Sequence, residues 1–140
     1  MIGPQQRYGD GAFQPTAGVL PNVGVEAIDK LLYALHRRRC APVQRWLEER
    51  FSQVRDVEWV SGSCLMIRRE LFEELGGFDE RFFLYFEDKD LCRRVRDRKF
   101  RVVYRAHGRV PHLLGRSSGD VRPELLRSIY RQSQRRYYRK

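Results

Sequence analysis

Phe83-Leu84-Tyr85-Phe86-Glu87-Asp88-Lys89-Asp90, followed by Leu91-Cys92-Arg93-Arg94, passes from aromatic bulk straight into three carboxylates and then into base. Acid at the start and base at the end suit a helix, whose N-terminus favours anions and whose C-terminus favours cations. A helix is therefore expected over EDKDLCRRVRDRK, Glu87 to Lys99. Taken locally, the carboxylates satisfy first-turn N–H groups, and Asp90 pairs with Arg94 one turn on. On that reading Asp90→Asn costs about 0.5 kcal/mol. The same position has a second use: a carboxylate held at a helix start and walled by Phe82, Phe83, Tyr85 and Phe86 can accept a proton from a substrate hydroxyl. Aromatic surroundings raise a carboxyl pKa and a helix terminus lowers it, so the local pattern leaves both readings open. A metal clamp made of Asp88 and Asp90 is disfavoured, because i and i+2 on a helix point to nearly opposite faces.

Upstream of this stretch, RRELFEELGGFD reads as a short helix ended by Gly76-Gly77, the residue type that helix C-caps favour. VEWVSGSCLMIRR, residues 57–69, is rich in apolar and β-branched residues and reads as a strand with Gly62 in its middle. From Val25 to about Val54 the apolar spacing is helical, with Ile28, Leu31, Leu32 and Leu35 on one stripe, and Pro42 divides it into two helices. His36 and the arginines after it read as the solvated end of the first. Residues 1–24, with their Asp10-Gly11 turn signal, read as loop or a short hairpin lacking its partner. Downstream, FRVVYRA, residues 100–106, is a strand. Pro123 opens a last amphipathic helix to Lys140, with Leu125, Leu126, Ile129, Tyr130 and Tyr137 on its apolar side. The expected fold class is α/β.

Composition narrows the function classes. The 140 residues are 41% hydrophobic and 12% aromatic, enough for a folded core. Twenty-eight Lys and Arg against 18 Asp and Glu give a net charge of +10, which suits an anionic partner such as a nucleotide diphosphate, an anionic membrane surface or nucleic acid. Cys40, Cys64 and Cys92 form no C-x-x-C pair, which argues against a disulfide framework or structural zinc and fits a reducing compartment. No apolar run approaches the roughly 20 residues of a membrane span. A cytoplasmic chain is expected. Its basic tail, with seven Lys or Arg in 122–140 against Glu124 alone, can bring it peripherally to an anionic membrane face.

The motifs from Val57 to His112, taken in order, resemble the C-terminal half of family 2 glycosyltransferases of the GT-A, rhamnosyltransferase-like type. They are Trp59-Val60-Ser61-Gly62, Arg68, Gly76-Gly77-Phe78-Asp79-Glu80, Phe83 through Arg94, and a late His112. GPQQRYGDGAFQPTAG near the start and RSIYRQSQRRYYRK at the end extend the resemblance more weakly. It implies an α/β, partial Rossmann-like domain over residues 1–121, carrying the acceptor and catalytic-base part, followed by a basic tail helix over 122–140.

The implied activity is inverting transfer of a sugar from a nucleotide-diphosphate sugar donor to an acceptor hydroxyl, in cell-surface polysaccharide synthesis, with an acceptor that is lipid-linked in many relatives. Asp88 would be the general base, with Glu87 its neighbour. Trp59, Gly62 and Arg68 would bind substrate. His112 would help hold a divalent cation, Mn²⁺ or Mg²⁺, whose D-x-D carboxylates are absent from this chain. The nucleotide-binding half precedes this segment in the family, so the chain alone is expected to be inactive.

Each assignment has a plainer alternative. Asp88 can be a helix cap, Gly62 a strand bulge, Trp59 core filling, Arg68 a solvated strand end, and His112 a surface histidine in the loop HLLGRSSG, with His107 its rival as ligand. At the level of the whole chain, the alternatives are a non-catalytic basic module for anionic lipid or nucleic acid, or an inactive remnant. Tyr interleaved with Arg in the tail permits base stacking. No nucleic-acid module signature is present, however, and such a module leaves the ordered motifs unexplained.

Overall fold

A computed structural model describes residues 1–113 and 122–140. The loop proposed for 112–119 and the boundary proposed between 121 and 122 fall largely or wholly outside the described residues. The elements in chain order are β1 (Ile2–Arg7), β2 (Phe13–Gln14), β3 (Ala17–Gly18), α1 (Val23–Arg37), α2 (Ala41–Arg50), β4 (Arg55–Val57), β5 (Trp59–Val60), α3 (Arg69–Glu74), α4 (Glu87–Asp97), β6 (Val102–Pro111) and α5 (Pro123–Arg139). The class is α/β, as expected, with the mixed sheet and flanking helices of part of a GT-A domain.

The main sheet has the order β2-β1-β6-β4. β1 and β6 run parallel, in register from Ile2 opposite Val103 to Arg7 opposite Pro111, and the register shifts between Pro4 and Gln5. This corrects the expectation of a loop for residues 1–24. Ile2-Gly3-Pro4-Gln5-Gln6 lacks β-branched alternation and carries a proline that donates no hydrogen bond. It holds a central place because the irregularity falls at that proline, where a sheet tolerates one. Gly3 is also required by shape: a Cβ there would lie 2.5 Å from Val60 Cβ.

The expected strand 57–69 is also corrected. Only β4 and β5 form, pairing with β6 and β3 respectively. The chain then turns at Gly62 and meets the sheet again through a single antiparallel bridge, Ile2 to Met66. The helices begin close to where the sequence puts them. Asn22 Oδ1 accepts the Val25 N–H at 2.9 Å and starts α1. Gly76 and Gly77, at φ 74° and 73°, end the α3 region in the left-handed conformation glycine adopts without penalty.

The main core gathers Phe13, Leu47, Phe51, Val60, Leu71, Cys92, Val95, Val102 and Tyr104 from strands and helices. A second cluster joins Phe82 and Phe86 to Tyr137, with Tyr130 packed against it. His36 corrects a third expectation. It is 3% exposed and stacks on Tyr8, with ring centroids 6.0 Å apart. The three arginines that follow it made the segment look solvated, but the fold turns the imidazole inward.

Candidate active site

The start of α4 is set by an unusual backbone. Tyr85 and Phe86 both have positive φ, 66° and 70°, a conformation that costs a non-glycine residue about 1–3 kcal/mol. The surroundings fix it. Phe86 is buried against Tyr130 and Tyr137, and Tyr85 lies edge-on to Tyr130 at 5.5 Å. From α5, the Ser133 hydroxyl donates to the Leu84 carbonyl at 2.7 Å. The expected aromatic wall thus divides: Phe82 and Phe86 face α5, while Phe83 is exposed.

Asp88 leaves this strained corner in the first turn of α4. Its Oδ2 accepts the Gly62 N–H at 3.0 Å and its Oδ1 accepts the Lys89 N–H at 2.8 Å. Gly62 stands in the turn after β5, where a Cβ would be 3.3 Å from Asp88 Cβ. The turn is itself anchored. Ser61 Oγ and Ser63 Oγ are 2.8 Å apart, Ser63 donates to buried Gln6 at 2.8 Å, and the Ser61 N–H donates to Thr16 at 2.8 Å. Cys92 adds a clamp from the next turn of α4, its Sγ accepting the Val60 N–H at 3.4 Å. Burial pushes that thiol up to about 12, so it stays protonated.

Glu87 is half-buried, and its Oε2 is enclosed without a hydrogen-bond partner. Burial first, and the adjacent Asp88 carboxylate second, raise its pKa. Lys89 lies over the Trp59 ring at 4.8 Å and the Phe86 ring at 4.7 Å. It makes no ion pair within 4.0 Å among the described residues. Asp90 faces inward. It is 1% exposed and pairs with Arg94 at 2.8 Å and Lys140 at 2.7 Å. Arg94 also donates to the Leu75 and Gly77 carbonyls, both at 2.8 Å, and so ties α4 to the glycine turn.

The predicted residues divide accordingly. Asp88, Glu87, Gly62 and Trp59 come together at the β5–α4 junction. Arg68 is exposed at the N-cap of α3, with no ion pair to that group among the described residues. His112 is half-buried just past the end of β6. Its N–H donates to Arg7 at 2.8 Å, and the Gln14 side-chain amide lies 3.0 Å from its Nδ1. His107 is exposed. Among the described residues no three His, Cys, Asp or Glu side chains gather around a point where an ion could sit. His112 alone does not make a metal centre. Sequence reading missed Gln6, Ser61 and Ser63. The Ser-Gly-Ser run is a turn signal that points to the last two, and no local pattern points to Gln6.

The family described as Glycosyltransferase like family 2 matches residues 15–138. The chain belongs to that family.

Its relatives include the N-acetylglucosaminyl-diphospho-decaprenol L-rhamnosyltransferase of Mycobacterium tuberculosis, 36% identical over 121 residues, or 84% of this chain. The Myxococcus xanthus O-antigen biosynthesis protein RfbC is 45% identical over 53 residues, 38% of this chain and 4% of that protein. The Escherichia coli rhamnosyltransferase WbbL is 44% identical over 39 residues, 28% of this chain and 15% of that protein. The chain spans 38% of the length of the mycobacterial relatives. No solved structure matches it.

Proposed function

We propose that this chain carries the acceptor-activating part of an inverting glycosyltransferase acting in polysaccharide synthesis. The observation that carries the reading is the Asp88 carboxylate, held at 3.0 Å by the Gly62 N–H at the start of α4. In the proposed step Asp88 takes the proton of an acceptor hydroxyl. The freed oxygen attacks the anomeric carbon of a nucleotide-diphosphate sugar from the face opposite the diphosphate. That bond breaks as the new glycosidic bond forms, so configuration inverts in a single displacement.

Trp59 offers a half-buried indole face for the acceptor sugar. Glu87, whose carboxyl pKa is raised by burial and by the adjacent Asp88 carboxylate, shapes the field around Asp88. Arg68, exposed near the turn, is available to phosphate. His112, through Nε2, is the residue of this chain that would reach a divalent cation carried by the diphosphate, Mn²⁺ or Mg²⁺, whose charge would stabilise the leaving group.

The tail extends the reading. α5 turns Tyr130, Ser133 and Tyr137 to the domain and leaves Arg127, Arg131, Arg135 and Arg139 exposed on another face, where with Arg81 they line a basic cleft. Each such cation adds on the order of 1 kcal/mol of attraction to an anionic membrane surface. Among the described residues no helix is long and apolar enough to cross a membrane, so this contact would be peripheral. The relatives named for rhamnosyl transfer, one of them to a decaprenyl-linked acceptor, support the sugar-transfer reading.

The test is transfer by the chain combined with a nucleotide-sugar-binding glycosyltransferase half, comparing wild type with Asp88→Asn. Loss of turnover with donor binding retained supports the base assignment. Unchanged turnover overturns it.

A further inference from the structure

A helix packed on a globular domain turns its apolar stripe inward and its polar side to water. Over much of its length α1 does the reverse. Val23, Ala27, Leu31 and Ala34 recur at helical spacing, with Ile28 beside them, and all of them are exposed. Val23 is 81% and Leu31 61% exposed, while the one fully buried side chain of α1 is His36. The two carboxylates of α1 lie outside this arc. Glu26 is largely buried and holds Lys30, and Asp29 lines the cleft that α1 forms with α2 and β5. A contiguous apolar surface of this kind marks an interaction site rather than ordinary exposure.

The border of the arc says what covers it. At the C-terminal end Arg37 and Arg38 are exposed and make no ion pair within 4.0 Å among the described residues, while Arg39 holds Asp10 at 2.7 Å. Beside Ile28 the cleft wall adds Tyr33 and Trp46, both exposed, with the Arg50 guanidinium 5.3 Å above the indole. The basic helix α5 adjoins α1 through Gln134, which donates to Glu26. An apolar arc without carboxylates, edged by arginines and by exposed Tyr and Trp, has the make-up of a helix lying in a bilayer interface.

A second copy of the chain fits the arc less well. Antiparallel pairing would set Arg37 and Arg38 against the N-terminal turn of the other helix, where the dipole is also positive. The one carboxylate of that turn, Glu26, is already held by Lys30 and Gln134. Parallel pairing would set arginine on arginine.

We propose that α1 inserts the Val23–Ala27–Leu31–Ala34 arc into the interface of a lipid bilayer, with Arg37 and Arg38 at the level of the lipid phosphates. The contact proposed above for α5 is electrostatic and screened by salt, whereas this one is apolar and survives it. It needs no transfer step, and it is measured without one.

Co-sedimentation of the chain with vesicles of pure phosphatidylcholine isolates the apolar contact, because these vesicles carry no net charge. The chain is expected to partition onto them. Raising NaCl to about 1 M, where the screening length is about 3 Å, should change that partition less than about twofold. Leu31→Asp and Val23→Asp, both at exposed positions, should each lower it at least about tenfold, with the melting temperature unchanged. Arg131→Gln combined with Arg135→Gln, on α5, should leave it unchanged here. The same pair should lower partition onto vesicles that contain about one quarter phosphatidylglycerol.

No partition onto phosphatidylcholine, or partition that Leu31→Asp leaves intact, would overturn the proposal. Self-association without vesicles that Leu31→Asp abolishes would overturn it too, by assigning the arc to a second copy. Loss of partition on adding a nucleotide-sugar-binding glycosyltransferase half would do the same, by assigning the arc to that half. Each of these failures is independent of Asp88, so Asp88-dependent transfer would still stand or fall by its own assay.

Discussion

The Gly62 N–H and the Asp88 carboxylate meet at 3.0 Å across 26 positions of sequence. The bond joins the turn after β5 to the first turn of α4, and only a residue without a side chain leaves it undisturbed. An added Cβ would stand 3.3 Å from Asp88 Cβ, closer than ordinary van der Waals contact, so it would shift the carboxylate by a few tenths of an ångström.

Asp88→Asn is therefore expected to lower kcat by roughly 10²–10⁴ with donor Kd nearly unchanged. Gly62→Ala should act in the same direction but less, by about tenfold, because it displaces the base rather than removing it. Steady-state kinetics on the chain combined with a nucleotide-sugar-binding half, with a separate donor-binding titration, check both. A loss of donor affinity as large as the loss of turnover would argue against the base role.

Asp90 is predicted to matter for stability. The sequence alone, reading an exposed i,i+4 pair with Arg94, expects about 0.5 kcal/mol for Asp90→Asn. The structure corrects this, because Asp90 is 1% exposed and shared between Arg94 and Lys140. Breaking a buried ion pair from one side costs more, so about 3 kcal/mol is expected by denaturant titration. A value below 1 kcal/mol would mean that water reaches this carboxylate.

Glu87→Gln should stabilise the fold near neutral pH. Its carboxyl pKa is raised above the ordinary 4.5 by burial and by Asp88. A raised folded pKa means that the charged form is the one the fold disfavours. The stability linked to this group is complete below the ordinary value and lost as pH climbs through the raised one. The Gln variant escapes that loss. It should melt a few degrees higher than wild type at pH 7, and the two should converge at pH 4. Thermal scans at both values decide it, and a gap that persists at pH 4 would point to a cause other than charge.

Tyr137→Ala should cost about 3–5 kcal/mol, since it empties the cluster under Phe82 and Phe86. Ser133→Ala removes one hydrogen bond, worth about 1 kcal/mol. Both should act on the corner beyond their energy. Amide exchange at 84–88 is expected to quicken selectively, because Tyr85 and Phe86 keep their positive φ only while α5 holds them. Uniform quickening across the chain would show a merely global effect.

Legibility follows the range of the forces involved. α4 could be read because its charge order, acid first and base last, is local, and α3 because Gly76-Gly77 ends it. β1 could not, because Gly3-Pro4-Gln5-Gln6 has no strand signature and gains its place from β6, about 100 residues away in sequence. Residues 64–68 failed the other way: their apolar run is strand-like, but pairing needs neighbours, and one bridge to Ile2 is all that forms. The inward face of α5 was read correctly at Tyr130 and Tyr137 but missed at its start and at Ser133, for a related reason. Leu125 looked buried by composition yet is exposed, while Ser133 is buried because the Leu84 carbonyl requires a donor there. Asp88, Gly62 and Trp59 were found together by motif order, whereas Gln6, which anchors Ser63 beneath them from β1, has no counterpart in local pattern.

The hold of Ser133 on Leu84 also sets an order of events in synthesis. The carbonyl is made 49 residues before the hydroxyl that secures it, an interval of about 2–10 s at ordinary elongation rates. Through that interval the corner at Tyr85 and Phe86 has no α5 to oppose its preference for ordinary backbone angles. The candidate base is thus translated before the element that fixes its corner, so a nascent chain without α5 carries the carboxylate but not yet the backbone that presents it.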